Sequence, residues 1–195
     1  RDAQESRGLG DVYKRQEYSR EDMYRELSLG DRHRAFRYKN NVQLISRFLY
    51  PEDSTEEGRR LRLMQEYFMV SAGIQSIIRH YKKKISTDLR KFDKYVAIHI
   101  NDTHPALVIP ELMRILMDEE GLSWRAAWHV TVRTVAYTNH TVLPEAMEKW
   151  SIPMFKSLLP RIYLIVDEIN RRWLRFVRKR FPNDEELAAN VAVLW

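Results

Sequence analysis

The 195-residue sequence contains no cysteine, only six glycines, and no long apolar run. The absence of cysteine excludes disulfides and thiol catalysis, and it is consistent with a cytoplasmic protein. No apolar stretch approaches the roughly 18 residues that a membrane-spanning helix needs, so we expect no membrane partner. The glycines are scattered and form neither a phosphate-binding loop nor a Gly-x-Ser-x-Gly nucleophile elbow.

The composition that remains is that of a globular chain, with 44% hydrophobic and 31% charged residues. The formal net charge is +6, but the basic residues are scattered through helical stretches and mixed with acidic ones. This pattern favours solvated helix faces over a nucleic-acid surface, so we expect no nucleic-acid partner. A nucleic-acid-binding module remains as an alternative that would use residues 79–84 and the basic later helices.

The central stretch is residues 96–105, which read as a short buried strand ending at a polar corner. Asn101, Asp102 and Thr103 favour a turn or a helix cap, and Pro105 disfavours helical geometry at His104. A carboxylate and an imidazole beyond a strand end suit a ligand site. The alternative is that Asp102 caps the next helix and His104 is an ordinary loop residue.

A metal site is a second alternative, because His99-x-x-Asp102-x-His104 contains ligand types that suit zinc. Residues 99 and 102 would point to opposite faces if the strand continued, which argues against that arrangement.

Hydrophobic periodicity predicts a helix-rich chain around this corner. Helices are predicted for residues 31–48, 59–83, 109–120, 123–135, 161–180 and from 185 onward, with a loop over 50–58, a polar connection over 85–94 and an irregular piece near 150–153. The predicted buried positions include Tyr67 and Phe68 in the second helix, and Ile162, Ile165, Trp173 and Phe176 in the long later helix. Ser123 is predicted to cap the helix that follows it, and Asn183 and Asp184 can cap the last one.

Three polar clusters could converge on one ligand. They are the loop at Asp53, the corner at Asp102 and His104, and a second corner at Asn139 and His140. Carboxylates, imidazoles and an amide together suit a polyhydroxylated ligand, because each sugar hydroxyl both donates and accepts hydrogen bonds.

Residues 1–16 have few apolar residues and no useful period, and residues 6–16 resemble a translated sequencing-adaptor read-through. We therefore expect two regions: an artefact over 1–16 and a partial domain over 17–195. That domain is expected to be truncated at both ends.

Long motifs resemble the α-glucan phosphorylases, the family of glycogen, starch and maltodextrin phosphorylases. They are VAIHINDTHPALVIPE (96–111), AYTNHTVLPE (136–145), SRFLYPEDSTEEG (46–58), LRLMQEYF (61–68) and LLPRIYLIVDEIN (158–170). The resemblance implies an α/β fold: a helix-rich part of the N-terminal domain of a Rossmann-like, GT-B-type glycosyltransferase. It also implies an enzyme that uses orthophosphate to release glucose 1-phosphate from the non-reducing ends of α-1,4-glucans.

The resemblance assigns roles to the two corners. It implies that His140 holds the glucosyl unit at its hydroxymethyl oxygen, with Asp102 and His104 lining the pocket beside the sugar. Asn139 is grouped with these substrate-binding residues. No catalytic residue is assigned with certainty.

Outside the corners, the resemblance places Asp53 and Ser54 in a gate loop over the active site, although the family often has asparagine where Ser54 stands. Arg79 matches an arginine that binds an allosteric nucleotide in animal enzymes, while the neighbouring His80 departs from that pattern. Pyridoxal 5'-phosphate is implied as cofactor. Its Schiff-base lysine belongs to the family's C-terminal domain, so this chain alone is expected to be inactive. A homodimer is implied for the full-length protein, and a non-catalytic glucan-binding module is the alternative function.

Overall fold

The computed structural model describes residues 43–47, 51, 53–141, 143 and 147–194. The chain divides into two compact units, Arg1–Gly73 and Ile74–Trp195, and the boundary falls inside the first long helix. Residues 43–47 are helical, as predicted, whereas the rest of the helix predicted for residues 31–48 lies outside the described residues.

Helix α1, Glu56–Lys84, begins three residues earlier than predicted. The cause is a cap at Thr55, whose hydroxyl accepts a hydrogen bond from the Gly58 N–H at 3.0 Å. Its carbonyl accepts the first helical bond, from the Arg59 N–H, also at 3.0 Å. Two glutamates in the first turn and three lysines in the last turn complement the helix dipole.

The apolar stripe of α1 is only partly as predicted. Tyr67, Ile74, Ile78 and Tyr81 are buried, but Phe68 is 43% exposed, so its assignment to the core was wrong. Adjacent helical residues point about 100° apart, so a helix face that buries Tyr67 turns Phe68 away.

The predicted polar connection after α1 contains a 3-10 helix, Leu89–Lys94. Leu89 and Phe92 are buried three residues apart, a spacing that matches the three-residue turn of this helix. The Phe92 ring packs edge-on against Tyr81 with a centroid distance of 5.1 Å. The connection was therefore misjudged, because its two apolar residues anchor it.

A β-α-β arrangement follows and defines the α/β class. Its elements are β1 (Ile98–Asn101), α2 (Val108–Arg114), a π-helical segment (Ile115–Glu119), α3 (Trp124–Thr134) and β2 (Val135–Thr138). The strands pair in parallel, with Ile98 opposite Val135 and Asn101 opposite Thr138. Ser123 caps α3 as predicted: its hydroxyl accepts a hydrogen bond from the Ala126 N–H.

Both strands correct the predictions made from the sequence. Residues 135–138 were assigned to the end of a helix and a polar corner, but they form β2. The predicted buried strand is only partly buried: in β1, Ile100 is buried and His99 is exposed. Strand side chains alternate between faces, and in this two-stranded sheet one face carries the polar residues His99 and Asn101.

Three helices complete the described chain: α4 (Ile152–Leu158), α5 (Pro160–Arg180) and α6 (Glu185–Asn190). The irregular piece predicted near residues 150–153 is confirmed at residues 150 and 151, whereas Ile152 and Pro153 begin helix α4. Asp184 caps α6, as predicted, by accepting a hydrogen bond from the Leu187 N–H at 2.8 Å. In α5, Ile162 and Ile165 are buried.

Trp173 and Phe176 were wrongly assigned to the buried stripe of α5. They are 41% and 60% exposed. The two rings stack on each other at 5.7 Å, and the Trp173 Nε1–H donates to the Val191 carbonyl. Each ring therefore covers part of the other and remains at the surface.

Helix α2 lies at the centre of the second unit, where it contacts both α3 and α5. Leu112, Met113 and the following Ile115 and Leu116 are buried there. The same helix buries an ion pair, Glu111–Arg114. Among the described residues, no helix is both long and apolar enough to cross a bilayer.

Candidate functional site

The carboxyl ends of the two parallel strands are joined at Asp102, the first residue after β1. Its N–H donates to the Thr138 carbonyl at 2.9 Å and so extends the ladder by one bond. Asp102 then turns the chain with φ +60°. This left-handed conformation disfavours most side chains, whereas aspartate and asparagine adopt it several times more often.

The Asp102 carboxylate joins the two corners directly. Its Oδ1 accepts a hydrogen bond from the backbone N–H of His140 at 2.7 Å. This distance is typical of a bond strengthened by a charged acceptor. The corner was predicted from Asp102 and His140 separately, and the structure brings these two residues together.

The His140 side chain is held by the last residue of β1. Its Nε2 lies 3.1 Å from Oδ1 of Asn101. Within the described part of the chain, no hydrogen bond occupies His140 Nδ1, and the residue is exposed. The imidazole therefore presents one nitrogen to solvent at the strand ends.

The other predicted corner residues are placed differently. Asn139 folds back on its own loop: its Nδ2 donates to the Thr141 carbonyl at 2.8 Å, and its Oδ1 accepts from the Thr141 N–H at 3.3 Å. His104 is exposed in the turn between Asp102 and α2. In that turn the Ala106 N–H donates to the Thr103 carbonyl.

His99, a candidate metal ligand, lies on the exposed face of β1 with its Nε2 2.6 Å from Oγ1 of Thr138. Across the described ranges, no three His, Asp or Glu side chains are grouped to hold one metal ion. The Thr103 hydroxyl is buried and makes no hydrogen bond to any residue in the described part of the chain.

Asp53 and Ser54 lie immediately before α1, and both are exposed. They belong to the first unit, whereas the corner belongs to the second. Arg79 is exposed on the last third of α1.

Sequence reasoning missed Asn101 and Thr138 as members of the site. Asn101 was predicted only as a turn residue, and Thr138 was not predicted as a site residue. The parallel register, which places Asn101 opposite Thr138, is the signal that brings them in. That register could have been inferred only if the β-branched and aromatic residues 135–138 had been recognised as a strand.

The strand-end cluster, which we define as residues 99–104 and 138–141, is rich in hydrogen-bonding groups and contains no lysine or arginine. It offers imidazole nitrogens, a carboxylate, amides and hydroxyls. Such a set can recognise a neutral polyhydroxylated ligand, since each group can pair with a hydroxyl.

The fold is that of an α/β protein with a cluster of polar side chains at the ends of two parallel strands. The chain matches the family model described as carbohydrate phosphorylase over residues 12–195. It therefore belongs to the carbohydrate phosphorylase family.

Its similarity extends to glycogen phosphorylases from bacteria and animals. The chain is 53% identical to glycogen phosphorylase of Bacillus subtilis (strain 168) over 156 residues, which cover 80% of this chain and 19% of that protein. It is 49% identical to the muscle form of glycogen phosphorylase from Homo sapiens over 167 residues, which cover 82% of this chain and 20% of that protein. For the brain form of Rattus norvegicus the identity is 47% over 177 residues, covering 87% and 21%. The chain thus spans about a fifth of the length of these relatives.

Proposed function

We propose that this chain supplies the glucosyl-binding wall of an α-1,4-glucan phosphorylase, which transfers terminal glucosyl units to orthophosphate as glucose 1-phosphate. The observation that supports it most is the bond between the Asp102 carboxylate and the His140 N–H. This bond brings the two polar corners to one place, within a chain that belongs to the carbohydrate phosphorylase family.

In this proposal His140 accepts the hydroxymethyl group of the glucosyl unit, while Asp102 and His104 line the pocket beside the ring. Asn139 contributes by fixing the loop that carries His140, because its amide is engaged with Thr141 on both sides. Asp53 and Ser54, in the loop before α1, are proposed as further substrate-binding residues.

Arg79 is proposed as a contact for an allosteric anion. It is exposed near the end of α1.

The family generally depends on pyridoxal phosphate, but the strand-end cluster does not fit that cofactor. It has no lysine to form a Schiff base and no arginine to hold a phosphate, and Asp102 adds a negative charge. We therefore assign the cofactor and orthophosphate to other parts of the enzyme. What these residues contribute is binding and orientation of the sugar.

The finer architecture is part of the same proposal. The parallel β1–β2 pair with α2 and α3 between the strands suits a Rossmann-like domain of GT-B type. We further propose a cytoplasmic homodimer, with residues 17–195 belonging to the N-terminal domain of the enzyme.

A chimera tests the proposed function. The segment of the Bacillus subtilis glycogen phosphorylase that aligns with this chain is replaced by the corresponding residues of this chain. We expect the purified chimera, loaded with pyridoxal phosphate, to release glucose 1-phosphate from glycogen. A folded and cofactor-loaded chimera without this activity would overturn the proposal.

The 195-residue chain alone is the matched control. We expect it to release no glucose 1-phosphate, because the residues proposed to bind cofactor and phosphate lie elsewhere. Phosphorolysis by this chain would contradict that assignment. If the 195-residue chain binds maltooligosaccharide tightly while the chimera shows no phosphorolysis, the alternative of a non-catalytic glucan-binding module would be favoured instead.

A further inference from the structure

We propose that Asn101 is a positioning residue that holds the His140 imidazole as the Nε2–H tautomer and leaves Nδ1 free to accept a hydrogen bond. The part that concerns sugar binding rests on the proposed function, whereas the tautomer itself does not. The proposal starts from the 3.1 Å contact between Asn101 Oδ1 and His140 Nε2.

The contact follows from the sheet register. Asn101 is the last residue of β1 and pairs with Thr138, so its side chain lies beside the chain that leaves β2. His140 is the second residue after that strand. Its backbone N–H is already held by the Asp102 carboxylate at 2.7 Å. The histidine is thus fixed at two points, one on its backbone and one on its ring.

The chemistry of the contact determines where the proton lies. An amide oxygen only accepts hydrogen bonds, so the nitrogen facing it must carry the proton. A neutral imidazole has one N–H, and therefore Nδ1 is left as an acceptor. The reverse orientation of the Asn101 amide would produce the opposite tautomer, which makes the tautomer a decisive observable.

A free Nδ1 acceptor suits a site for hydroxyl groups. A sugar hydroxyl can donate a hydrogen bond to Nδ1 and still accept a hydrogen bond from another donor. If Nδ1 carried the proton instead, the hydroxyl would have to act as acceptor there. Asn101 would thereby select the direction of the hydrogen bond to the substrate.

The tautomer is measured on the 195-residue chain labelled with ¹⁵N-histidine. Long-range ¹H–¹⁵N spectra at pH 8.5, where histidines are largely neutral, distinguish a protonated from an unprotonated ring nitrogen. We expect His140 to show an unprotonated Nδ1 and a protonated Nε2. A protonated Nδ1 in the unaltered chain would overturn the proposal, whatever the variants do.

Two variants separate positioning from general structure. Asn101→Ala removes the acceptor. We expect the ratio of the Nε2–H form to the Nδ1–H form of His140 to fall about fivefold, as for the loss of one ordinary hydrogen bond. Asn101→Asp keeps an acceptor oxygen in place and should retain the Nε2–H form. The exposed His129 of α3 is the internal control, and its ratio should not change. An unchanged ratio at His140 in the alanine variant would contradict the proposal.

The same substitution in the chimera tests whether Asn101 contributes to catalysis through His140. Asn101→Ala should lower kcat/KM for phosphorolysis about fivefold, as expected for the loss of one ordinary hydrogen bond that holds the His140 ring in position. If the chimera is inactive while the tautomer is as expected, the proposed function fails and the role of Asn101 in holding the ring stands. If the chimera is active and its kcat/KM is unchanged by the substitution, the functional role of Asn101 is wrong.

Discussion

Asp102 both turns the chain and links the two corners, and substitutions can separate these contributions. Asp102→Ala removes the carboxylate that accepts from the His140 N–H at 2.7 Å, and it places alanine at φ +60°. A charge-assisted bond in a half-exposed site contributes about 1–1.5 kcal/mol. The left-handed conformation costs alanine about 1 kcal/mol more than aspartate. We therefore expect Asp102→Ala to lower the free energy of unfolding by about 2–2.5 kcal/mol.

Two further variants separate the contribution of the hydrogen bond from that of the backbone conformation. Asp102→Gly loses the bond but adopts positive φ freely, so its cost should be about 1–1.5 kcal/mol. Asp102→Asn keeps an acceptor oxygen and tolerates this conformation, and its cost should be about 0.5 kcal/mol.

The assay is equilibrium urea unfolding at pH 7 with m-values compared among the variants. Equal losses for alanine and glycine would show that backbone conformation contributes nothing. Equal losses for alanine and asparagine would refute the bond to His140 as the source of stability.

Three further predictions concern groups outside the strand-end cluster. Glu111 is fully buried and accepts two bonds from Arg114, at 2.8 and 2.9 Å, so Glu111→Gln should cost about 2–3 kcal/mol in urea unfolding at pH 7; a loss below about 1 kcal/mol would contradict this. A hydrogen bond from Arg172 lowers the pKa of Glu168, so its contribution is complete above the unfolded pKa of about 4.3 and is lost as pH falls through the lower native pKa. Glu168→Gln should therefore cost about 0.5–1 kcal/mol at pH 7 and almost nothing at pH 2; the same loss at both pH values would refute the linkage. Burial raises the pKa of the Tyr81 phenol, which donates to the Asp88 carbonyl at 3.0 Å. Tyr81→Phe should lower the free energy of unfolding by about 1 kcal/mol at pH 7. The difference in this free energy between wild type and variant should become smaller above about pH 10, because the tyrosine of the unfolded wild type ionises first; a difference that stays constant with pH would contradict this.

The sequence predicted the helices of this chain better than its sheet. Ser123 and Asp184 were identified as caps because a small polar residue stands before each apolar helical run. Strand β2 was missed because residues 135–138 continue the apolar pattern of α3 without a turn signal between them. A four-residue strand is too short for its alternation to compete with the preceding helix.

Exposure of large side chains was the other weak point. Periodicity identified the buried Ile162 and Ile165, but it also placed Trp173 and Phe176 in the same stripe. Stacking between the two rings removes part of their apolar surface from water without burying them in the core. Such a contact depends on side-chain conformation, which a hydrophobic pattern does not encode.

The candidate site was predictable in its chemistry but not in its geometry. Polar residues after an apolar run pointed to Asp102 and His140. The contact between them depends on the parallel register and on the positive φ of Asp102. Asn101 was overlooked as a partner for the same reason, because its contact to His140 joins residues 39 positions apart.

The kinetics of His140→Ala in the phosphorolysis-active chimera test the central claim most directly. If His140 holds the glucosyl unit, removing its ring should lower kcat/KM by about 5- to 150-fold, equivalent to about 1–3 kcal/mol. His129→Ala is the matched control, because His129 is exposed on α3 before β2 begins, and it should change kcat/KM less than twofold. An unchanged kcat/KM for His140→Ala would contradict the account.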